Sequence, residues 1–288
     1  MRFGASTFIW ASPFGDDSLH LAQRVADLGF DTLEICIEDP ARVTAAAVRG
    51  AATTAGITIS VCGAFGPNRD VSHEEPARRQ LGVDYLKTCI DLAAEVGAPN
   101  VIGPMYSATG KTRLLPEADR ENQRRWAAEG LRAAGEYAAE RGVGLAIEPL
   151  NRFETDLVNT VEAGLDLCER IGLDNVGLLL DTFHMNIEER SIPAAMRMAG
   201  SRLRHLHTCE NDRGAPGSGH VDWNGVFTAL SEIAYDGDVA IESFTPEIQE
   251  IARAVSTWRP VAESGDQLAR DGLAFLKSHL PRPVAVEL

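Results

Sequence analysis

The chain has 288 residues and a formal net charge of −15, and 44% of its residues are hydrophobic against 24% charged. This composition is typical of a folded protein with a large core, which argues against a disordered chain. The acidic charge argues against a nucleic-acid partner, because phosphate groups would be repelled over most of the surface.

Short apolar runs alternate with longer amphipathic segments from one end of the chain to the other. This alternation predicts repeated βα units and a parallel sheet. The eight runs that we predict as strands cover residues 3–10, 31–37, 57–63, 100–104, 143–149, 176–181, 204–208 and 238–244.

The amphipathic segments between these runs are predicted as helices, and several of them end at a glycine, the usual residue just after a helix. They cover residues 18–28, 40–55, 76–96, 118–141, 158–171 and 223–233, followed by a last helix at 266–280 and a loose end at 281–288. Eight βα units close most simply into an α/β fold, the (β/α)8 TIM barrel, spanning residues 1–288 as one domain. A doubly wound open sheet is the alternative, because the number of units does not prove closure.

The cysteines are widely spaced and form no CxxC pair, which argues against a zinc knuckle or a disulfide framework. They are Cys36, Cys62, Cys89, Cys168 and Cys209. The first residues, MRFGASTFIWASPF, lack the form of a secretory signal, and no apolar run is long enough to cross a membrane. We therefore expect a protein of the reducing cytoplasm with no membrane partner.

Four polar residues end four successive predicted strands in the second half of the chain: Glu148, Asp181, His207 and Glu242. Their separations are 33 residues (148 to 181), 26 (181 to 207) and 35 (207 to 242), which is one βα unit each. Because the carboxyl ends of the strands form the active-site face of a TIM barrel, these four side chains should meet at one rim.

Three buried carboxylates at one rim would repel one another and raise one another's pKa unless a cation lay between them. Oxygen donors with one imidazole suit Mn²⁺, Mg²⁺ or Co²⁺ better than a thiolate-favouring ion. We therefore predict that Glu148, Asp181, His207 and Glu242 bind one divalent ion. His205 points the same way as His207 but lies deeper, so we assign it as a supporting residue and leave the reverse assignment open.

The loops beyond these strands carry polar side chains that suit a sugar pocket. They include Asn151, Arg152, Glu154, His184, Asn186, Glu210, Asn211 and Arg213. Three residues in the first half have two interpretations each. Glu34 either supports the metal ligands or is an ordinary barrel residue, and Trp10 and Phe14 either pack against a sugar or belong to the core.

The second half of the chain contains three distinctive segments, IEPLNRFET (147–155), LDTFHMNIEE (180–189) and HLHTCENDRGAPGSGHVDW (205–223), followed by a strand that ends in IESF (241–244). These segments resemble the D-tagatose 3-epimerase and D-allulose (D-psicose) 3-epimerase family, within the xylose-isomerase-like TIM barrels. The likeness is strong over residues 143–245 and looser in the N-terminal half.

The resemblance implies a metal-dependent ketose 3-epimerase acting on free ketoses such as D-tagatose, D-fructose, D-allulose and L-ribulose. It implies one ion at the four positions named above, Mn²⁺ or alternatively Co²⁺ or Mg²⁺, and a homodimer or homotetramer. Glu148 and Glu242 would also exchange the C3 proton through a metal-stabilised enediolate. Glu154, His184 and Arg213 would hold the sugar.

Other functions are open at this point, because a fold does not define a reaction. An aldose–ketose isomerase, or a related polyol isomerase or dehydratase, would use a similar barrel and metal site. A DNA-repair endonuclease would need more histidine ligands and a basic groove, and a non-catalytic sugar-binding protein would not need two glutamates. The sequence Glu242-Ser243-Phe244 stands where many relatives have Glu-Pro-Phe, so the preferred sugar is open too.

Overall fold

The computed structural model describes residues 1–280 of the protein and contains a closed, parallel, eight-stranded barrel. The strands pair in sequence order and β8 pairs with β1, so the open doubly wound alternative is wrong. The strands are β1 (Arg2–Ser6), β2 (Thr32–Ile37), β3 (Thr58–Gly63), β4 (Asn100–Gly103), β5 (Gly144–Ile147), β6 (Val176–Asp181), β7 (Leu203–Thr208) and β8 (Asp238–Ile241). The predicted loose end at 281–288 lies outside the described residues.

Ten α-helices occur in residues 1–280, and the predicted helices are confirmed with small shifts at their ends. They are α1 (Leu21–Asp27), α2 (Ala45–Ala55), α3 (Pro76–Val96), α4 (Glu117–Ala139), α5 (Val161–Ile171), α6 (Thr182–Glu188), α7 (Ile192–Ala199), α8 (Trp223–Glu232), α9 (Gln249–Ala254) and α10 (Gly265–Ser278). The predicted helix at 40–55 divides into a 3-10 turn at Pro40–Arg42 and α2. The short helices α6, α7 and α9 have no counterpart among the predicted elements, because so few turns show little helical periodicity.

Helix α5 illustrates how local sequence sets the boundaries. Its N-cap, Thr160, accepts a hydrogen bond from the backbone N–H of Ala163 through Oγ1 at 3.2 Å. Its C-cap, Gly172, has a φ of 72°, which a residue with a Cβ adopts only at a cost. These two signals stand in the sequence, which is why the predicted and observed ends of this helix nearly agree.

Strand β1 is shorter than predicted. It ends at Ser6 rather than at residue 10, because the Ser6 hydroxyl accepts a hydrogen bond from the backbone N–H of Phe8 and the chain turns into a 3-10 helix over Thr7–Ile9. Phe8 consequently packs against Phe244, with ring centroids 5.4 Å apart. The predicted strand ends at 104, 149 and 244 are also too long by one to three residues.

The buried apolar side chains form two clusters. The larger one fills the space between the barrel and its helices, as expected for strands covered on their outer face. The smaller one lines the interior of the barrel and consists of Phe8, Cys36, Cys62, Ile102, Ala146, Leu179 and Phe244. Among residues 1–280, no helix combines the length and apolar character needed to cross a bilayer.

Candidate functional site

The four residues predicted to bind a metal meet at the carboxyl ends of neighbouring strands. Glu148 directly follows β5, Asp181 ends β6, His207 is the fifth residue of β7, and Glu242 directly follows β8. Each residue offers one carboxylate oxygen or imidazole nitrogen, and these four atoms all lie within 4.8 Å of one another. This group can therefore surround a single cation.

The imidazole of His207 faces this cluster with one nitrogen. Its Nδ1 lies 3.6 Å from Glu242 Oε2, 3.8 Å from Glu148 Oε1 and 4.0 Å from Asp181 Oδ2. This nitrogen, like the Nε2 on the other side of the ring, is buried and has no hydrogen bond of normal geometry among the described residues. An unpaired buried nitrogen that faces three carboxylates is the arrangement expected of a metal ligand, so the donor set fits a divalent ion.

The opposite side of His207 faces Glu34. The His207 Nε2 lies 2.9 Å from Glu34 Oε1, and the Nε2 of His205 lies 2.9 Å from Glu34 Oε2. Glu34 and His207 have no solvent exposure, and His205 is almost completely buried. Of the two interpretations of Glu34, the structure favours support of the histidines.

The electrostatics of the cluster show the need for positive charge. Burial raises the pKa of Glu148 well above its ordinary value, and the neighbouring Glu242 and Asp181 carboxylates raise it further. Burial would also raise the pKa of Asp181, but the Arg213 guanidinium and neighbouring imidazoles lower it to about 2. The Arg213 guanidinium and the imidazoles thus supply too little positive charge for three buried carboxylates. A divalent cation would let all three ionise.

Arg213 reaches the cluster from the loop after β7. Its Nη1 donates hydrogen bonds to Asp181 Oδ2 at 2.5 Å and to Glu242 Oε2 at 3.1 Å. The guanidinium carbon lies 4.2 Å from the ring centroid of Phe183, a cation–π contact. The Arg213 backbone has a φ of 69°, and the Ser243 hydroxyl donates a hydrogen bond to its carbonyl oxygen at 2.6 Å.

His184 and Glu154 are joined to the site through Asn151. The backbone N–H of Asn151 donates to His184 Nδ1 at 3.1 Å, and its side-chain Nδ2 donates to Glu154 Oε1 at 2.8 Å. His184 Nε2 lies 3.7 Å from Glu148 Oε1 and 4.0 Å from Asp181 Oδ2. All three residues predicted to hold a sugar therefore connect to the four-residue cluster or to its immediate neighbours.

The two glutamates are the more accessible members of the cluster. Glu242 is 6% and Glu148 4% exposed, whereas Asp181 is 1% exposed and His207 is not exposed. A group that exchanges a proton with substrate must reach the cavity, while a group that only holds an ion does not. All four side chains are nevertheless buried, so the division of roles stays a prediction.

Trp10 and Phe14 make contacts that favour their structural interpretation. Phe14 is 1% exposed and belongs to the larger core cluster. The indole Nε1 of Trp10 donates to Asp266 Oδ1 at 2.8 Å, which ties the loop after β1 to the start of α10.

Three features in or near the site were not anticipated from the sequence. Phe183 forms the aromatic face beneath Arg213, and Ser243 anchors the Arg213 backbone, although no spacing rule connects 213 with 243. Cys36 and Cys62 are also brought together, because they pair in register across β2 and β3. With Glu34 they form another close group of potential ligands, and Glu34 also forms a group with His205 and His207. Neither of these groups brings more than one carboxylate together, unlike the cluster of Glu148, Asp181, His207 and Glu242.

The chain is similar to known proteins along nearly its whole length. The family described as the xylose isomerase-like TIM barrel matches residues 22–279. A protein of Synechocystis sp. described as a probable ketose 3-epimerase is 33% identical over 277 residues, 96% of both chains. A D-psicose 3-epimerase of Agrobacterium fabrum is 32% identical over 276 residues, 92% of this chain and 93% of the relative.

A solved structure extends the likeness to three dimensions. The D-allulose 3-epimerase of Methylomonas sp., solved in complex with D-allulose, superposes with a TM-score of 0.91 at 29% identity and covers 97% of both chains. The barrel, the length of the match and these relatives lead to one conclusion: the chain belongs to the xylose isomerase-like TIM barrel family and, within it, to the ketose 3-epimerases, which are isomerases.

Proposed function

We propose that this protein is a metal-dependent ketose 3-epimerase that acts on free ketoses of the D-tagatose, D-fructose/D-allulose and L-ribulose type. The observation that carries the proposal is the cluster of Glu148, Asp181, His207 and Glu242 at the mouth of the barrel. Relatives matched along nearly their whole length are named ketose or D-psicose 3-epimerases. The same reaction in this chain needs two carboxylates close to one cation.

Glu148, Asp181, the Nδ1 of His207 and Glu242 would hold one divalent ion. We propose Mn²⁺, with Co²⁺ or Mg²⁺ as alternatives, because three oxygen donors and one imidazole suit these ions. When bound, such an ion would polarise the ketose carbonyl and offset the negative charge that develops when the adjacent carbon loses its proton.

Glu148 and Glu242 would carry the proton. One carboxylate takes the C3 proton from one face of the sugar, and the other gives a proton to the opposite face, so the configuration at C3 inverts without a redox cofactor. The two roles exchange when the reaction runs in reverse. Their greater exposure compared with Asp181 and His207 supports this assignment.

Glu154, His184 and Arg213 would hold the O1 and O2 end of the open-chain ketose. Asn151 donates to His184 Nδ1, and the other nitrogen of that imidazole, Nε2, lies 3.1 Å from Arg213 Nη2 and faces the cluster. Phe183 and Ser243 hold Arg213 at the cluster, where its guanidinium can bind sugar oxygens. Preorganised donors of this kind keep the reacting carbon next to the two glutamates.

The test is a panel of D-fructose, D-tagatose, D-allulose and L-ribulose, assayed after EDTA treatment and again after addition of Mn²⁺. We expect C3 epimers, loss of activity with EDTA, and recovery with Mn²⁺. Glu148→Gln and Glu242→Gln should each abolish turnover. Exclusive formation of an aldose would favour an aldose–ketose isomerase, and full activity of either variant would contradict the two-glutamate mechanism.

Two further properties stay proposals that this function suggests. The protein would form a homodimer or homotetramer, which light scattering coupled to size-exclusion chromatography would measure. A location in the cytoplasm also stays a prediction.

A further inference from the structure

The side chain of Glu34 reaches across the interior of the barrel. Glu34 belongs to β2, whereas the imidazoles that it contacts belong to β7, on the far side of β1 and β8. The intervening strands present small residues in the same rows: Ser6 pairs with Glu34, and Ala240 pairs with His207. Registered residues on neighbouring strands point to the same face, so these small side chains leave room for the crossing.

Both oxygens of Glu34 face imidazole nitrogens at 2.9 Å, although none of these four buried atoms has a hydrogen bond of normal geometry among the described residues. The two histidines are the only basic residues that the described part of the chain brings within 4.0 Å of this carboxylate. A fully buried carboxylate is very costly unless N–H or O–H groups donate to it. Each histidine therefore carries a proton on the Nε2 that faces Glu34.

This proton determines what the other side of His207 offers. A neutral imidazole with a proton on Nε2 has its lone pair on Nδ1. In His207 that atom is the buried nitrogen facing Glu148, Asp181 and Glu242. The contact with Glu34 and the presentation of a lone pair to the cluster are thus two consequences of one tautomer.

We propose that Glu34 is a positioning residue that holds His207 in the Nε2–H tautomer and thereby aims its Nδ1 lone pair at the cation. His205 occupies the second oxygen of Glu34 and fixes the orientation of the carboxylate. This inference rests on the proposed function, because that function requires a cation at the cluster. It assigns His205 a supporting role and His207 the role of ligand.

Without Glu34, the other tautomer of His207 would become available. A proton on Nδ1 could then be donated towards Glu242 Oε2, which lies 3.6 Å away, and no lone pair would face the cation. Partners that orient a ligating histidine typically change metal affinity by about 10- to 100-fold when they are removed. We expect a loss of this size.

The first measurement reads the tautomer in the metal-free protein. Long-range ¹H–¹⁵N NMR spectra of histidine-labelled protein distinguish a protonated ring nitrogen from one with a lone pair, and His207→Asn assigns the signal. We expect the wild-type His207 to be protonated on Nε2. A wild-type His207 whose Nε2 carries no proton would overturn the proposal, even if no variant of Glu34 folds.

The second measurement is the Mn²⁺ dissociation constant, obtained by electron paramagnetic resonance. Glu34→Gln keeps the shape of the side chain, but an amide can accept from only one of the two histidines and presents an NH₂ group to the other. We expect weaker Mn²⁺ binding by about 10- to 100-fold. The matched control is Asp70→Asn, which removes another buried carboxylate that pairs with a base, Lys111 at 2.7 Å.

The control should bind Mn²⁺ like the wild type, and Glu34→Gln with wild-type affinity would refute the proposal. Both measurements are made without a ketose. They therefore test the role of Glu34 whether or not the protein epimerises sugars. Normal epimerase activity together with unchanged Mn²⁺ affinity in Glu34→Gln would remove this inference and leave the proposed function intact.

Discussion

The hydroxyl of Ser243 should be needed to hold Arg213 in place, and Ser243→Ala tests this. The hydroxyl donates to the Arg213 carbonyl oxygen at 2.6 Å, and the two residues are 1% and 5% exposed, so water has little access to replace it. Arg213 has a φ of 69°, a left-handed conformation that costs a residue with a Cβ about 1–2 kcal/mol. That conformation therefore depends on nearby hydrogen bonds.

The expected size of the effect follows from the lost donor. A buried carbonyl oxygen left without a partner costs about 1–3 kcal/mol, where about 1.4 kcal/mol corresponds to a tenfold change. Part of this cost should lower the free energy of unfolding. The rest should raise the KM for the ketose, because Arg213 is proposed to hold the sugar. The value of kcat should change less, since Glu148 and Glu242 are untouched.

The assay combines urea unfolding of the metal-free protein with steady-state kinetics on the best ketose of the panel. Ser243→Thr keeps the hydroxyl, so its free energy of unfolding and its KM should lie closer to the wild-type values than those of Ser243→Ala. If Ser243→Ala has the free energy of unfolding and the KM of the wild type, the hydrogen bond does not position Arg213.

Three other predictions concern stability. Mn²⁺ at about 100 times its dissociation constant should raise the free energy of unfolding by about 2.7 kcal/mol, measured by urea titration, and Asp181→Asn should lose this gain. Leu131→Ala, at a position with no solvent exposure, should cost about 2–5 kcal/mol, and a cost clearly below about 2 kcal/mol would contradict the packing described. Burial alone would raise the pKa of Asp70, but Lys111 and Ser72 lower it below its ordinary value of 3.8. The resulting stability is present above that value and is lost as the pH falls through the lowered pKa, so Asp70→Asn should show a smaller loss than the wild type between pH 5 and 3 in urea titrations.

Much of the fold could be predicted because its signals are local. The alternation of apolar runs and amphipathic segments, with glycines after several helices, indicated eight βα units at nearly their observed positions. Spacing of one unit between Glu148, Asp181, His207 and Glu242 was enough to predict that they meet, since the carboxyl ends of all barrel strands lie at one rim. Closure of the barrel was only the simplest interpretation until the pairing of β8 with β1 was seen.

The details of the site could not be predicted in the same way. That β1 ends at Ser6 depends on a hydroxyl cap, and the place of Phe14 depends on the core that surrounds it. The contact between Ser243 and Arg213 joins two loops through a left-handed backbone that no sequence pattern marks.

The sequence by itself determined the order of the elements, the rim where the charged groups gather and the family, because each depends on short segments and on regular spacing. Only the tertiary structure decided which nitrogen of His207 faces the carboxylates and which residue holds the other nitrogen. Glu34 and His207 are far apart in the chain and on strands that do not pair, and their contact exists only because the barrel closes and small residues leave space between them. A contact of this kind depends on distances through the interior, and the sequence alone does not contain them.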